Sequence, residues 1–130
     1  MTIKILIDVP PIHDDGLRVF EGIPDIEIVR YDRANQFLAD AIKDVDAVMV
    51  GLAIFDEKII NMAANLKILA KHGVGVDNVD VRAATKRKIP VVVTPYANST
   101  TVAEFAIGSI LALAKKFFLT NAVLKAGTYT

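Results

Sequence analysis

Residues 66–80 read LKILAKHGVGVDNVD, an aliphatic run followed closely by two glycines and three acidic or amide side chains. The first five residues have the composition of a buried β-strand, and the glycines favour a tight turn after it. Asp80 then precedes a segment of helical composition and is a residue type that caps helix N-termini. This strand–turn–helix unit predicts one βα step of an α/β fold.

The same alternation of short apolar runs and helical segments extends over residues 3–93. The predicted strands are 3–7, 26–29, 47–50, 66–70 and 91–93, and the predicted helices are 16–21, 34–42, 57–62 and 81–86. Parallel neighbours need crossover connections, so five strands separated by helices predict a parallel sheet covered on both faces. The predicted class is therefore α/β, a flavodoxin-like, doubly wound sheet whose ligands bind at the carboxyl ends of the strands.

Composition excludes several classes of function. The 130 residues include no cysteine, which rules out disulfides, a thiolate nucleophile and Cys-ligated zinc. Fifteen basic and fifteen acidic side chains balance, so no long-range field would gather nucleic acid or anionic lipid. No uncharged run reaches the roughly 18 residues of a membrane span, and the first residues lack a signal-peptide pattern. We therefore expect a cytoplasmic protein without membrane, nucleic-acid or metal partners.

Residues 102–119 are apolar nearly all round and predict one long helix. Thr101 and Glu104 have the spacing of a capping box at its start. A helix without a polar face has to be buried on most sides. We therefore expect this helix to pack against a second subunit or further chain.

The two glycines of the 73–75 segment are the strongest candidates for binding. Backbone N–H groups at Gly73 and Gly75 can approach a ligand without interference from Cβ atoms, and such groups suit a carboxylate or a phosphate. The same spacing also fits a tight turn without a ligand, so both interpretations stay open. A Rossmann phosphate loop is excluded because Asn78 stands where its third glycine belongs. For His13 and His72 we favour structural interpretations, since neither has the spacing of a metal ligand.

Acidic residues after the first strand, Asp8 among them, also suggest a phosphate-accepting receiver domain. That activity needs a carboxylate at the end of the third strand, where this sequence has Val50, Gly51 and Leu52. Phosphoacceptor chemistry is therefore not expected.

Several segments taken together carry a more specific signal. Residues 71–80, 83–84, 89–91, 94–99 and 101–104, in this order, closely resemble the NAD-dependent D-isomer-specific 2-hydroxyacid dehydrogenases, the phosphoglycerate dehydrogenase branch in particular. The resemblance implies that residues 1–98 are an incomplete substrate-binding domain. Residues 99–130 would be the hinge and the first helix of a truncated NAD-binding domain of Rossmann type, and the 102–119 helix would pair two copies in a homodimer.

The resemblance also implies roles for individual residues. Backbone N–H groups of the glycine loop would hold the carboxylate of a small 2-hydroxy or 2-keto acid, a basic residue would lie near it, and further residues would line the NAD cleft. The implied substrate-binding residues are Lys71, Gly73, Val74 and Gly75, and the implied cofactor-binding residues are Val74, Asn98 and Thr101.

The family's catalytic arginine, histidine and glutamate have no counterparts in these 130 residues. We therefore expect no catalytic residue in this chain, no activity from it alone and no tight binding of NAD or NADP by it alone. Gly51 also departs from the arginine usual in the phosphoglycerate dehydrogenase branch, so a smaller, unphosphorylated acid is equally compatible. An alternative interpretation is a free-standing, non-catalytic α/β module that dimerises and binds a small carboxylate at Gly73 and Gly75.

Overall fold

The computed structural model describes residues 2–9 and 12–128. The elements in chain order are β1 (Ile3–Asp8), α1 (Asp14–Arg18), β2 (Ile26–Arg30), α2 (Leu38–Ala41), β3 (Ala47–Val50), α3 (Glu57–Met62), β4 (Ile68–Lys71), α4 (Val81–Lys86), β5 (Val91–Val92), α5 (Ser99–Ala114) and α6 (Phe117–Lys125). The chain divides between residues 94 and 95 into two compact units.

The first unit contains a five-stranded sheet in which every pairing is parallel. The strand order is β2-β1-β3-β4-β5, the order of flavodoxin-like folds. The prediction of five parallel strands is thus confirmed. The direction of strand addition reverses between β1 and β3, and the carboxyl ends of these two strands therefore mark the switch point at which such sheets bind ligands.

The two faces of the sheet are covered unequally. Right-handed crossovers in this strand order place α2, α3 and α4 on one face and α1 alone on the other. Alternate residues of β3 show the consequence, since Val48 and Val50 are buried whereas Ala47 and Met49 are only partly so. The main core lies on the three-helix side, where β-strand residues pack with Ile42, Ile60 and Ala84.

Helix α4 follows the prediction at both ends. The Asp80 carboxylate accepts a hydrogen bond from the Ala83 amide at 2.9 Å and caps the first turn. Lys86 lies in the last turn and forms an ion pair with Glu57, which raises the pKa of the Lys86 ammonium. Arg87, directly after the helix, donates to the carbonyl of Ala63 at 2.8 Å at the end of α3.

Helix α2 is shorter than the predicted 34–42 segment. The Asp32 carboxylate accepts hydrogen bonds from the Ala34 amide at 2.9 Å and from the Asn35 side chain at 2.7 Å. Both bonds lower the pKa of Asp32, and the bond from Asn35 contributes most. A side chain that binds nearby backbone offers an alternative to helical hydrogen bonding, so residues 32–36 form a turn instead.

The second unit corrects the prediction of a single 102–119 helix. Lys116 has a left-handed backbone conformation, with φ of 53°, and separates α5 from α6. Lys115 and Lys116 place two positive charges beyond the carboxyl end of α5, where the helix dipole favours them. The predicted capping box is also wrong, because α5 begins at Ser99, with Asn98 as its N-cap and no side-chain capping bond.

At the amino edge of the sheet, the buried Asp46 carboxylate receives two hydrogen bonds. Lys67 donates at 2.8 Å and the Lys4 amide donates at 3.0 Å. The bond from Lys67 contributes most to lowering the pKa of Asp46 below its ordinary value of 3.8. Of the helices in residues 2–9 and 12–128, none is long and apolar enough to cross a membrane. The expected cytoplasmic location stays a prediction.

Candidate functional site

The loop between β4 and α4, residues 72–77, lies at the carboxyl edge of the sheet. Gly73 adopts φ of 140°, a backbone conformation that side chains disfavour. Its N–H donates to Thr94 Oγ1 at 3.1 Å and to the Lys71 carbonyl at 3.0 Å, and the Thr94 amide donates back to the Gly73 carbonyl at 2.9 Å. The Gly73 amide is therefore used within the chain, and its observed part is to hold the loop against the end of β5.

The next two amides differ from that of Gly73. Across residues 2–9 and 12–128, neither the Val74 N–H nor the Gly75 N–H has a hydrogen-bond acceptor. Val74 is about half exposed, at 49% of its surface, and Gly75 is exposed. A Cβ at position 75 would lie 3.0 Å from Asp77 Oδ2, so a side chain there would crowd the loop. Successive free N–H groups of this kind form a concavity suited to an anion.

The Lys71 side chain extends from the end of β4 to two acceptors within the chain. Its ammonium donates to the Gly51 carbonyl and, at 3.0 Å, to Asn78 Oδ1. The Asn78 amide group in turn donates to the carbonyls of Gly51 at 3.2 Å and Ala53 at 2.6 Å. The sequence predicts Lys71 as a site residue, whereas Asn78 stands out there only because it replaces the third glycine of a Rossmann loop.

A buried carboxylate holds the other side of this cluster. Asp8, at the end of β1, is 1% exposed, and its Oδ2 accepts from the amides of Gly51 at 3.2 Å and Ala53 at 2.8 Å. Its Oδ1 accepts from Arg33 Nε at 2.8 Å and Nη2 at 2.6 Å. The segment after β3 is thus fixed from both sides. No local sequence pattern pairs Asp8 with Arg33, so sequence reasoning could not have found this contact.

A cavity of about 650 Å³ opens beside the same strand ends, and both histidines line it. The His13 ring accepts from the Asp15 amide at 3.3 Å and caps α1, which confirms its structural interpretation. His72 is exposed and its side chain forms no hydrogen bond within the described part of the chain, so its structural interpretation stays a prediction. The lining residues are Val9, Ile12, His13, Gly16, Met49, Gly51, Leu52, Lys71 and His72.

The other two predicted site residues belong to the second unit. Asn98 immediately precedes α5, and Thr101 lies in its first turn; both are exposed. Their role at the NAD cleft stays a prediction. In the part of the chain that the structure describes, no three His, Asp or Glu side chains come together as a metal site would require.

A family model for the catalytic domain of D-isomer specific 2-hydroxyacid dehydrogenases matches residues 5–129. The chain belongs to this family. Among curated relatives, it is 36% identical over 129 residues to a D-3-phosphoglycerate dehydrogenase of Methanocaldococcus jannaschii and 30% identical over 121 residues to a glyoxylate reductase of Thermococcus litoralis. These alignments cover 98% and 91% of this chain.

Solved structures agree with this assignment. An NAD⁺-bound 3-phosphoglycerate dehydrogenase of Entamoeba histolytica superposes with a TM-score of 0.74 and 31% identity over 86% of this chain. The chain spans 39% of that protein, 24% of the M. jannaschii dehydrogenase and 37% of the T. litoralis reductase. Membership of the family is therefore established for a chain that spans less than half the length of these three proteins.

Proposed function

We propose that this chain is the substrate-binding portion of an NAD-dependent dehydrogenase of 2-hydroxy acids. The observation that carries the proposal is the pair of amides at Val74 and Gly75, which have no acceptor among residues 2–9 and 12–128 and lie at the carboxyl edge of the sheet, in a chain that the family model matches over residues 5–129. NAD, when bound by the complete enzyme, accepts or supplies the hydride. The residues of this chain bind and orient the acid.

In this proposal the substrate carboxylate accepts hydrogen bonds from the Val74 and Gly75 amides. Two N–H groups fixed in one loop orient a carboxylate better than flexible side chains do, because little freedom is lost on binding. The exposed Val74 side chain would contact the nicotinamide end of NAD, and Asn98 and Thr101 would line the rest of the cleft. We assign no proton-transfer role within this chain, so we expect it to be inactive alone.

The environment of Gly51 favours a small, unphosphorylated 2-hydroxy or 2-keto acid. A Cβ at position 51 would overlap the Asp8 carbonyl oxygen and approach the Val9 Cα at 3.1 Å. An arginine therefore has no space at position 51, and the phosphate group of a phosphorylated substrate would have no cation to bind it at that position.

Titration of the ¹⁵N-labelled chain with oxamate, a 2-keto acid analogue, tests the proposal. We expect saturable shifts of the Val74 and Gly75 amide signals, because these N–H groups would gain an anionic acceptor. Acetamide, which has an amide group but no carboxylate, is the control and should leave both signals in place. Shifts confined to the opposite edge of the sheet, around Asp46, would contradict the assignment.

We also propose that residues 1–98 form the substrate domain, and that 99–130 begin the NAD domain and pair two copies of the chain. Support comes from the division of the structure at residue 94 and from the apolar surface of α5 and α6, where Phe105 is 77% and Leu113 is 71% exposed. An apolar groove of about 420 Å³ lies between Phe105, Gly108 and Phe118. Contiguous exposed apolar surface of this kind typically marks an interaction site.

Sedimentation equilibrium provides the test of pairing. The chain is expected to form dimers at micromolar concentration, and Leu113→Glu should shift it to monomer because a charge cannot be buried unpaired in an apolar interface. Val19→Glu, which changes an exposed apolar residue of the first unit, is the control and should leave the dimer intact. A wild-type chain that stays monomeric at all concentrations would exclude this mode of pairing.

A further inference from the structure

We infer that Lys71 is a positioning residue that closes the anion-binding loop through Asn78, and that it does not itself contact the substrate. The inference depends on the proposed function, since it concerns the loop that would hold the carboxylate. It assigns a role to Asn78 and changes the one that the sequence suggests for Lys71.

Lys71 and Asn78 lie at opposite ends of the glycine loop. Lys71 is the last residue of β4, and Asn78 lies seven positions later, beyond the Val74 and Gly75 amides. The 3.0 Å bond between Lys71 Nζ and Asn78 Oδ1 therefore joins the two ends of the loop. With this bond in place, residues 72–77 form a closed ring with fewer accessible conformations than an open loop.

Hydrogen bonds also attach this ring to the sheet. Lys71 and Asn78 both donate to the carbonyl of Gly51, and Asn78 also donates to that of Ala53. The amides of Gly51 and Ala53 are in turn held by the buried Asp8 carboxylate. A continuous set of hydrogen bonds thus connects the loop to the ends of β1 and β3.

Most of the hydrogen-bond donors of Lys71 are already in use. An ammonium group has three N–H donors, and two of them are committed to Gly51 and Asn78. These two bonds also fix the direction of the third donor, and an ammonium that turned towards an anion would deprive both acceptors of a charged partner. The amides of Val74 and Gly75, which have no acceptor in the described part of the chain, can bind an anion without this loss, so the observed bonds favour positioning over direct contact.

The two roles predict opposite behaviour for Asn78→Ala. If Lys71 positions the loop, Asn78→Ala and Lys71→Met should each weaken oxamate binding by about tenfold, which corresponds to about 1.4 kcal/mol of lost orientation. The double variant should then lose less than the sum of the two single losses, because both changes break the bond that Lys71 and Asn78 share. If Lys71 contacts the anion directly, Asn78→Ala releases its ammonium, and binding should stay equal or become tighter. That result would overturn the inference.

Lys67→Met is the matched control. It removes the ammonium that pairs with Asp46 at the opposite edge of the sheet, with the same change of residue type. We expect oxamate affinity to be unchanged in this variant. A loss equal to that of Lys71→Met would show a general effect of lysine removal and would overturn the inference.

A second readout does not depend on any ligand. Backbone ¹⁵N order parameters of Val74 and Gly75 are expected to be near 0.85 in the wild-type chain and to fall towards 0.6 in both Lys71→Met and Asn78→Ala. Unchanged order parameters in both variants would overturn the inference even if oxamate binds. If the wild-type protein does not bind oxamate but the order parameters fall as expected in the variants, the proposed function would be overturned. The positioning of the loop by Lys71 and Asn78 would then still be supported.

Discussion

Asp8→Ala is expected to lower the free energy of unfolding by about 3 kcal/mol, measured by urea denaturation. The substitution removes the acceptor of four hydrogen bonds, two from the amides of Gly51 and Ala53 and two from Arg33. Gly51 is buried, so its amide cannot recover a partner from water without local opening. Arg33 is 39% exposed at its side chain and can be rehydrated, which keeps the loss below that of a fully buried pair.

Asp40→Ala is the matched control for this change. The Asp40 carboxylate pairs with Lys43 at 2.7 Å, close to the 2.6 Å between Asp8 and Arg33, but its side chain is 68% exposed. Exposed ion pairs contribute little because water competes for both partners, so stability should change by no more than the error of the titration. Equal losses in the two variants would show that burial does not determine the effect and would contradict our account of Asp8.

Gly51→Ala should destabilise the first unit by about 3 kcal/mol or more, because the added methyl group has no space. A Cβ at position 51 would overlap the carbonyl oxygen of Asp8 and lie 2.8 Å from its carbonyl carbon. These are backbone atoms of the neighbouring strand and cannot move aside as a flexible side chain would. The midpoint of thermal unfolding, followed by circular dichroism, measures the loss.

Gly108→Ala makes the same chemical change inside α5, where a Cβ would meet no atom within 4 Å. Alanine is the stronger helix former, by up to about 1 kcal/mol, so this variant should be neutral or slightly more stable when measured at a concentration at which the chain is monomeric. If Gly51→Ala also unfolded at the wild-type temperature, the end of β3 would have to be further from β1 than the structure shows.

Asp8 and Gly51 link the stability of the first unit to the proposed preference for an unphosphorylated acid. Because position 51 has no side chain, β3 approaches the end of β1 closely enough for the Asp8 carboxylate to accept a hydrogen bond from the Gly51 amide. The same close approach excludes a basic side chain at position 51. We expect the contact that fixes the loop to be also the reason why this chain cannot present an arginine to a phosphate.

Much of the fold could be predicted from local patterns. The bounds of β3, α3 and α4 agree with the predicted segments, and Asp80 caps α4 as expected. These segments combine a clear apolar period with a capping or turn residue, and both signals lie within a few positions of one another. Prediction was wrong where a local competitor interrupts the pattern, at Asp32 before α2 and at Lys116 between α5 and α6.

The candidate site was only partly accessible to prediction. The glycine loop and Lys71 stand out because they are adjacent in sequence. The partners that fix them are distant, since 43 positions separate Asp8 from Gly51 and 27 separate Gly51 from Asn78. Nothing in a local pattern indicates which of many acidic and amide residues will meet at a strand end.

By itself, the sequence determined the α/β class, the parallel sheet and the position of the glycine loop, because periodicity and turn residues act over short distances along the chain, and its ordered motifs carried the resemblance to the dehydrogenase family. Only the tertiary structure decided which amides of the loop have no acceptor among the described residues, which acceptors hold Lys71 and why position 51 has to be glycine. These properties depend on how closely strand ends approach across the sheet, and that distance is set by the packing of the whole unit.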